Sequence, residues 1–145
     1  MHTIDTGLII KAAPAEVWAV IADFGSYAEW NPFILRAEGE AVEGSTLRLH
    51  IRPPGEKGMT HQPTVLIAEP ARRLCWLGKV SVPGLFAARH EFILEPIDEG
   101  TRFRHREVFT GLLVPLLRRT LRRTETGFEL LNQALKKRVE AKSAR

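Results

Sequence analysis

The feature that most limits the fold is an apolar repeat in the last third of the chain. Leu113, Leu117, Leu121, Thr124, Phe128, Leu131, Leu135 and Val139 recur at steps of three and four residues. That period makes an amphipathic helix of about six to eight turns, with Pro115 in its first turn. Gly127 falls inside the helix and is expected to weaken it by about 1 kcal/mol relative to alanine. A helix this long with one apolar stripe needs an apolar surface to cover.

The preceding residues supply that surface as strands. Thr3 to Ile10 alternates, with Ile4, Leu8 and Ile10 on one face. Ala12-Ala13-Pro14-Ala15-Glu16 then opens a short helix, with proline tolerated in the first turn and Glu16 at the positive end of the dipole. Gly25-Ser26 breaks it, and Tyr27-Ala28-Glu29-Trp30 adds one more turn before Asn31-Pro32 stops it. From Phe33 to Phe109 the pattern is strand and turn. Strands are expected over Ile34–Glu40, Ser45–Arg52, Gln62–Glu69, Arg73–Val80, Arg89–Pro96 and Thr101–Phe109, with Pro63 marking a bulge or an edge. Short turns between them favour an antiparallel meander. The chain of 145 residues is expected to form a single domain over 1–145.

The last two strands carry the most chemistry. A hairpin over Ile97-Asp98-Glu99-Gly100 sets Glu95 against Arg102 and Glu91 against Arg106 on a wet outer face. It also sets Leu94 against Phe103, Phe92 against His105 and His90 against Glu107 on the inner face. Two histidines and a glutamate among aromatics would orient a polar ligand group, act as an acid–base pair, or simply satisfy each other. Trp76 shares an inward face with Leu74, Gly78 leaves room for either a bulge or a ligand, and Trp30 is placed to cap the mouth of a cavity. The candidate ligand-binding residues are Trp30, Trp76, His90, Phe92, Leu94, Phe103, His105, Glu107 and Phe128; the candidate catalytic residues are His90, His105 and Glu107.

Other chemistries lack their residues. His2, His50, His61, His90 and His105 show no zinc-type spacing, so neither metal nor cofactor is expected. Phosphate loops and a nucleophile elbow are missing from the sequence. Cys75 stands alone, which excludes an internal disulfide and reads as a small buried residue. The start shows no signal pattern and no apolar run is long enough to span a bilayer, so a cytoplasmic protein without integral membrane association is expected. The net charge of +4 lies mainly between Arg102 and Arg145. It reads as a solvated helix face whose basic end suits the dipole, with no nucleic-acid partner.

The ordered set Ala13-Pro14-Ala15-Glu16-Val17-Trp18, Asp23, Tyr27, Trp30-Asn31-Pro32, Leu74-Cys75-Trp76-Leu77-Gly78, Pro83-Gly84-Leu85-Phe86, His90–Pro96, Gly100–Glu107 and Phe109–Leu113 resembles the SRPBCC group (START, Bet v 1 and polyketide cyclase-like proteins), over about residues 3 to 140. The resemblance implies an α+β helix-grip fold: a curved antiparallel sheet of seven strands around the long C-terminal helix, with two short helices after the first strand. It also implies a cavity for a small hydrophobic molecule of lipid, polyketide or aromatic type. A cyclase or dehydratase using the inner His and Glu residues is the alternative. A protein-interaction role for the basic helix, through Arg118, Arg119, Arg122 and Arg123, is the second alternative, and an exposed edge leaves room for a homodimer.

Overall fold

The computed structural model describes residues 1–144. Eight strands and three α-helices follow in the order β1 (His2–Ile10), α1 (Pro14–Ile21), α2 (Tyr27–Trp30), β2 (Ile34–Glu38), β3 (Arg48–Ile51), β4 (Met59–His61), β5 (Thr64–Glu69), β6 (Arg73–Lys79), β7 (Ala87–Ile97), β8 (Gly100–Thr110) and α3 (Arg118–Ser143). A 3-10 turn over Phe24–Ser26 joins α1 to α2, and another over Val114–Leu117 leads into α3. Pro14 occupies the first turn of α1, and the Glu16 carboxylate accepts the Ala13 amide at 3.0 Å, closing that helix end.

The strands pair antiparallel in the order β1-β8-β7-β6-β5, and β2-β3-β4 forms a second set. The two sets are joined through the residues that lead into β3. Thr46 bridges Thr64, the Val65 amide donates to Ser45 O and the Leu47 amide donates to Pro63 O, both at 2.8 Å. Gln62-Pro63, expected to begin the strand over Gln62–Glu69, lies instead between two strands, because proline offers no amide for the ladder. The piece before it, β4, pairs with β3, and the piece after it, β5, pairs with β6. The two sets together hold eight strands where the sequence pattern suggests seven; β4 is three exposed residues with no apolar face to announce it.

The β7–β8 register matches the one expected from the charge pattern, including Glu95↔Arg102, Glu91↔Arg106, Leu94↔Phe103, Phe92↔His105 and His90↔Glu107. The turn is tighter than expected, since Ile97 and Gly100 also pair and only Asp98-Glu99 remain as the loop. The outer face is not wet throughout. Glu91 is only 4% exposed beneath Arg73, Arg89 and Arg106, whose guanidinium groups lie 2.5, 3.7 and 3.8 Å from its carboxylate. Cys75 lies opposite Glu91 and is buried, and that burial pushes its thiol pKa up.

Helix α3 lies across the concave face and packs on β1 and α1. Its buried stripe is Leu121, Thr124, Gly127, Phe128, Leu131, Asn132, Leu135 and Val139. Polar ties fix its C-terminal half. Lys136 Nζ donates to Ile9 O at 2.8 Å, the Lys11 amide donates to Glu140 at 2.8 Å, and Arg138 pairs with Glu29 at 2.7 Å. Gly127 is a close approach and not merely a weak point, because a Cβ there would meet the ring of Phe33. The arginine cluster differs from expectation too. Arg118, Arg119, Arg122 and Arg123 sit at the N-terminal end of α3, where the dipole is positive and disfavours cations.

Candidate functional site

Of the inward residues of β7 and β8, His90 and His105 meet each other and side chains of α3. Thr6 stands opposite His105 across β1 and β8, and Phe128 and Asn132 come down from α3 one helical turn apart. The His90 and His105 rings meet diagonally across β7 and β8, with Nε2 to Nε2 2.7 Å apart. His105 Nδ1 lies 2.9 Å from Asn132 Oδ1, Asn132 Nδ2 donates to Thr6 Oγ1 at 2.8 Å, and Thr6 Oγ1 donates to His105 O at 3.0 Å.

This chain has one consistent direction. The single hydroxyl proton of Thr6 goes to His105 O, so Thr6 must accept from the Asn132 amide nitrogen. The Asn132 oxygen then faces His105, whose Nδ1 carries the proton. A neutral His105 therefore accepts at Nε2, His90 donates from its own Nε2, and His90 Nδ1 is left as a bare acceptor. That atom is buried and has no hydrogen-bond partner.

Both imidazoles are neutral. Burial, reinforced by the neighbouring His105, holds His90 well below its usual 6.5. Burial pushes His105 down to about 3, with the Asn132 hydrogen bond acting in the opposite direction. The rings are clamped as well. Trp76 stacks on His90 with centroids 4.2 Å apart and planes at 12°, and Phe128 stacks on His105 at 3.6 Å and 6°. Phe92 touches both histidines at 4.6 and 4.7 Å, and Phe103 lies 5.5 Å from Phe92.

Glu107 does not make the expected partnership with His90. The two are cross-strand neighbours, but His90 turns toward His105 and Glu107 makes no side-chain hydrogen bond among the described residues. It retains some exposed area, yet the surrounding protein desolvates its carboxyl enough to push the pKa up to about 8.

Trp30 lies apart from the histidines, at the end of α2. An aromatic series joins it to them: Trp30 to Tyr27 at 5.2 Å, Tyr27 to Phe24 at 5.5 Å, Phe24 to Trp76 at 6.3 Å. Its Nε1 is buried without a partner. Leu94 is buried opposite Phe103, at the end of β7 away from the histidines. Gly78 pairs in register with Ala88 and forms no bulge. Asn132 and Thr6 were not singled out from the sequence. Their signal is a polar residue set on an otherwise apolar face: Thr6 within the Ile4–Leu8–Ile10 series, and Asn132 beside Leu131 and four residues after Phe128.

Two clefts lie elsewhere. One of about 370 Å³ sits over Gly7 on β1 and β8, and one of about 260 Å³ lies between the β6–β7 loop and Thr110-Gly111. Neither is lined by a histidine; at His90 and His105 the rings of Trp76 and Phe128 stack directly on the imidazoles.

An α+β sheet gripping one long helix, with a polar cluster between them, defines a helix-grip protein of the START/Bet v 1 type. The family described as "Polyketide cyclase / dehydrase and lipid transport" matches residues 1–140, and the chain belongs to it. No curated protein sequence matches the chain. Among solved structures it is similar to the Zhui aromatase/cyclase from Streptomyces sp. R1128, with 19% identity over 96% of this chain and 93% of that one and a TM-score of 0.77. It is equally similar to protein MLL2253 from Mesorhizobium loti, with 19% identity over 97% and 98% and a TM-score of 0.77. A START superfamily protein from Mycobacterium smegmatis follows, with 19% identity over 97% and 99% and a TM-score of 0.74. At these identities the likeness concerns the fold.

Proposed function

We propose that the protein binds a small hydrophobic molecule between its sheet and α3, and that His90 Nδ1 receives one hydrogen bond from it. The observation that carries this reading is the bare acceptor itself. A buried nitrogen without a protein partner costs about 1–3 kcal/mol, a cost that a donor group on a bound molecule would remove. The direction of the network selects the ligand group. Only a hydroxyl or an N–H can satisfy His90 Nδ1; a carbonyl or an ether cannot. Trp76, Phe92 and Phe128 would give apolar contact, and entry would require these rings or α3 to move outward. The family's description, which includes lipid transport and polyketide cyclases, agrees with such a ligand.

Matched probes test it. Calorimetry with 1-naphthol and 1-methoxynaphthalene should show tighter binding of the naphthol, by about fivefold or more for one buried hydrogen bond. His90→Phe should erase that preference. Equal affinity for both probes in the native protein would count against the reading, as would no binding of either.

A second reading is a cyclase or dehydratase in which His90 Nδ1 takes a proton and Glu107 gives one. Glu107, with its pKa raised to about 8, is protonated at neutral pH and suits the acid role. His90 suits the base role poorly, because burial holds its pKa well below 6.5 and makes it a weak base. Binding without chemistry is therefore preferred. Turnover of a polyketide-type substrate that disappears in Glu107→Gln would reverse that preference.

A further inference from the structure

Two turns meet at one end of the molecule. The loop between β6 and β7 and the turn between β8 and α3 lie side by side there. The Leu112 amide donates to Gly84 O at 3.1 Å and the Leu113 amide to Leu85 O at 3.0 Å. Gly111 permits this approach, since a Cβ at that position would collide with the Leu85 carbonyl. The paired turns hold large apolar side chains out in water: Val82 is 57% exposed, Leu112 80% and Leu116 79%.

Cations flank them along the chain. Arg118, Arg119 and Arg122 follow Leu116 in the chain, are exposed, and make no ion pair among the described residues, whereas Arg123 is engaged by Glu56 at 3.4 Å. Lys79 enters the other turn. Neither Lys79–His90 nor Thr110–Thr124 contains an aspartate or glutamate. The N-terminal dipole of α3 adds to the positive potential.

We propose that this end is a docking surface for an anionic lipid bilayer. Val82, Leu112 and Leu116 enter the headgroup region, and Arg118, Arg119 and Arg122 rest against lipid phosphates. Apolar tips backed by unpaired cations are what an anionic interface recognises, because it offers an apolar layer beneath a negative one. The apolar groups sit on two turns rather than along a strand or helix face, which suits insertion into a fluid layer. The association is peripheral, for no helix of the described residues is long and apolar enough to cross a membrane. It does not depend on what the interior binds.

Co-sedimentation with vesicles tests it, using phosphatidylcholine alone and phosphatidylcholine mixed with phosphatidylglycerol. The protein should sediment with the anionic vesicles, much less with the neutral ones, and progressively less as salt is added. Each arginine of the three replaced by glutamine should weaken partitioning about fivefold. Leu112→Ser with Leu116→Ser should weaken it about tenfold or more, with the circular dichroism melt unchanged because both side chains are already exposed. No sedimentation with anionic vesicles at low ionic strength overturns the proposal. So does binding indifferent to the leucine pair, which would mean charge adhesion alone. A solution dimer that Leu112→Ser dissociates, or a protein partner in place of the vesicles, would assign the surface otherwise.

Discussion

His90 and His105 meet through their Nε2 atoms at 2.7 Å, so one buried imidazole must donate to the other. The direction is set from outside the pair, by Thr6 and Asn132. Nitrogen-15 NMR of the histidine rings should show the Nδ1–H tautomer for His105 and the Nε2–H tautomer for His90. Asn132→Leu should abolish that assignment and cost about 1–3 kcal/mol by leaving buried donors unpaired. Unchanged tautomers in the variant would show that Asn132 does not orient the pair.

The same cluster sets a pH optimum of stability. His90 and His105 are held below their usual 6.5, so the unfolded chain takes up protons first as pH falls. Their contribution is present above pH 6.5 and is lost below it, at up to about 1.4 kcal/mol per pH unit for each. Glu107 acts oppositely. Its pKa rises from 4.5 to about 8, so its contribution is complete below pH 4.5 and is lost as pH climbs toward 8. Two histidines outweigh one glutamate on the acid side, and Glu107 acts alone above 6.5, which puts the maximum near pH 6.5. Urea unfolding across this range should show the maximum, and Glu107→Gln should remove the fall above it. A native profile that keeps rising to pH 8 would refute the assignment.

Gly127→Ala should destabilise the protein although alanine is the better helix former. The intrinsic gain is about 1 kcal/mol. The added Cβ meets the Phe33 ring, which is 3% exposed and locked edge-on against Phe128 with centroids 5.5 Å apart. Overpacking of this kind costs about 1–3 kcal/mol. Thermal melts should show a net loss, partly recovered by Phe33→Leu in the alanine background. An increase in Tm on the single change would mean that the ring yields freely.

Glu91 answers to its arginines. Arg73→Met should destabilise the fold by about 1–2 kcal/mol, less than a fully buried pair because Arg73 is 35% exposed and Arg106 remains nearby. Replacing Glu91 and Arg73 together by Met should cost less than Arg73→Met alone, since no carboxylate is then left beneath the surface. Additive losses in chemical denaturation would show that the pair is not coupled.

Much of this fold is legible residue by residue. Alternation along Arg89–Pro96 and Thr101–Phe109, with acids on one strand and arginines on the next, leads to the observed register of β7 and β8. The three- and four-step repeat from Leu121 to Val139 forms the buried stripe of α3, whereas Leu113, Pro115 and Leu117 precede that helix; Pro14 opens α1, which ends at Ile21, short of Gly25. β4 was missed because its three residues are all exposed and carry no periodic signal. Glu91 read as solvent-facing because alternation reports a side chain's direction and not what lies over it.

Periodicity determined which side chains point toward α3, because the faces of a strand and a helix follow from backbone geometry alone. Only the tertiary structure decided which of them touch. His90 stands opposite Glu107 in register yet bonds diagonally to His105, and the atom that orients His105 arrives on α3, 27 residues away. The same holds for Gly127, a defect in an isolated helix and a requirement once Phe33 from another segment is packed against it. Such pairings depend on desolvation and on side chains brought from distant segments, and neither is written into a local pattern.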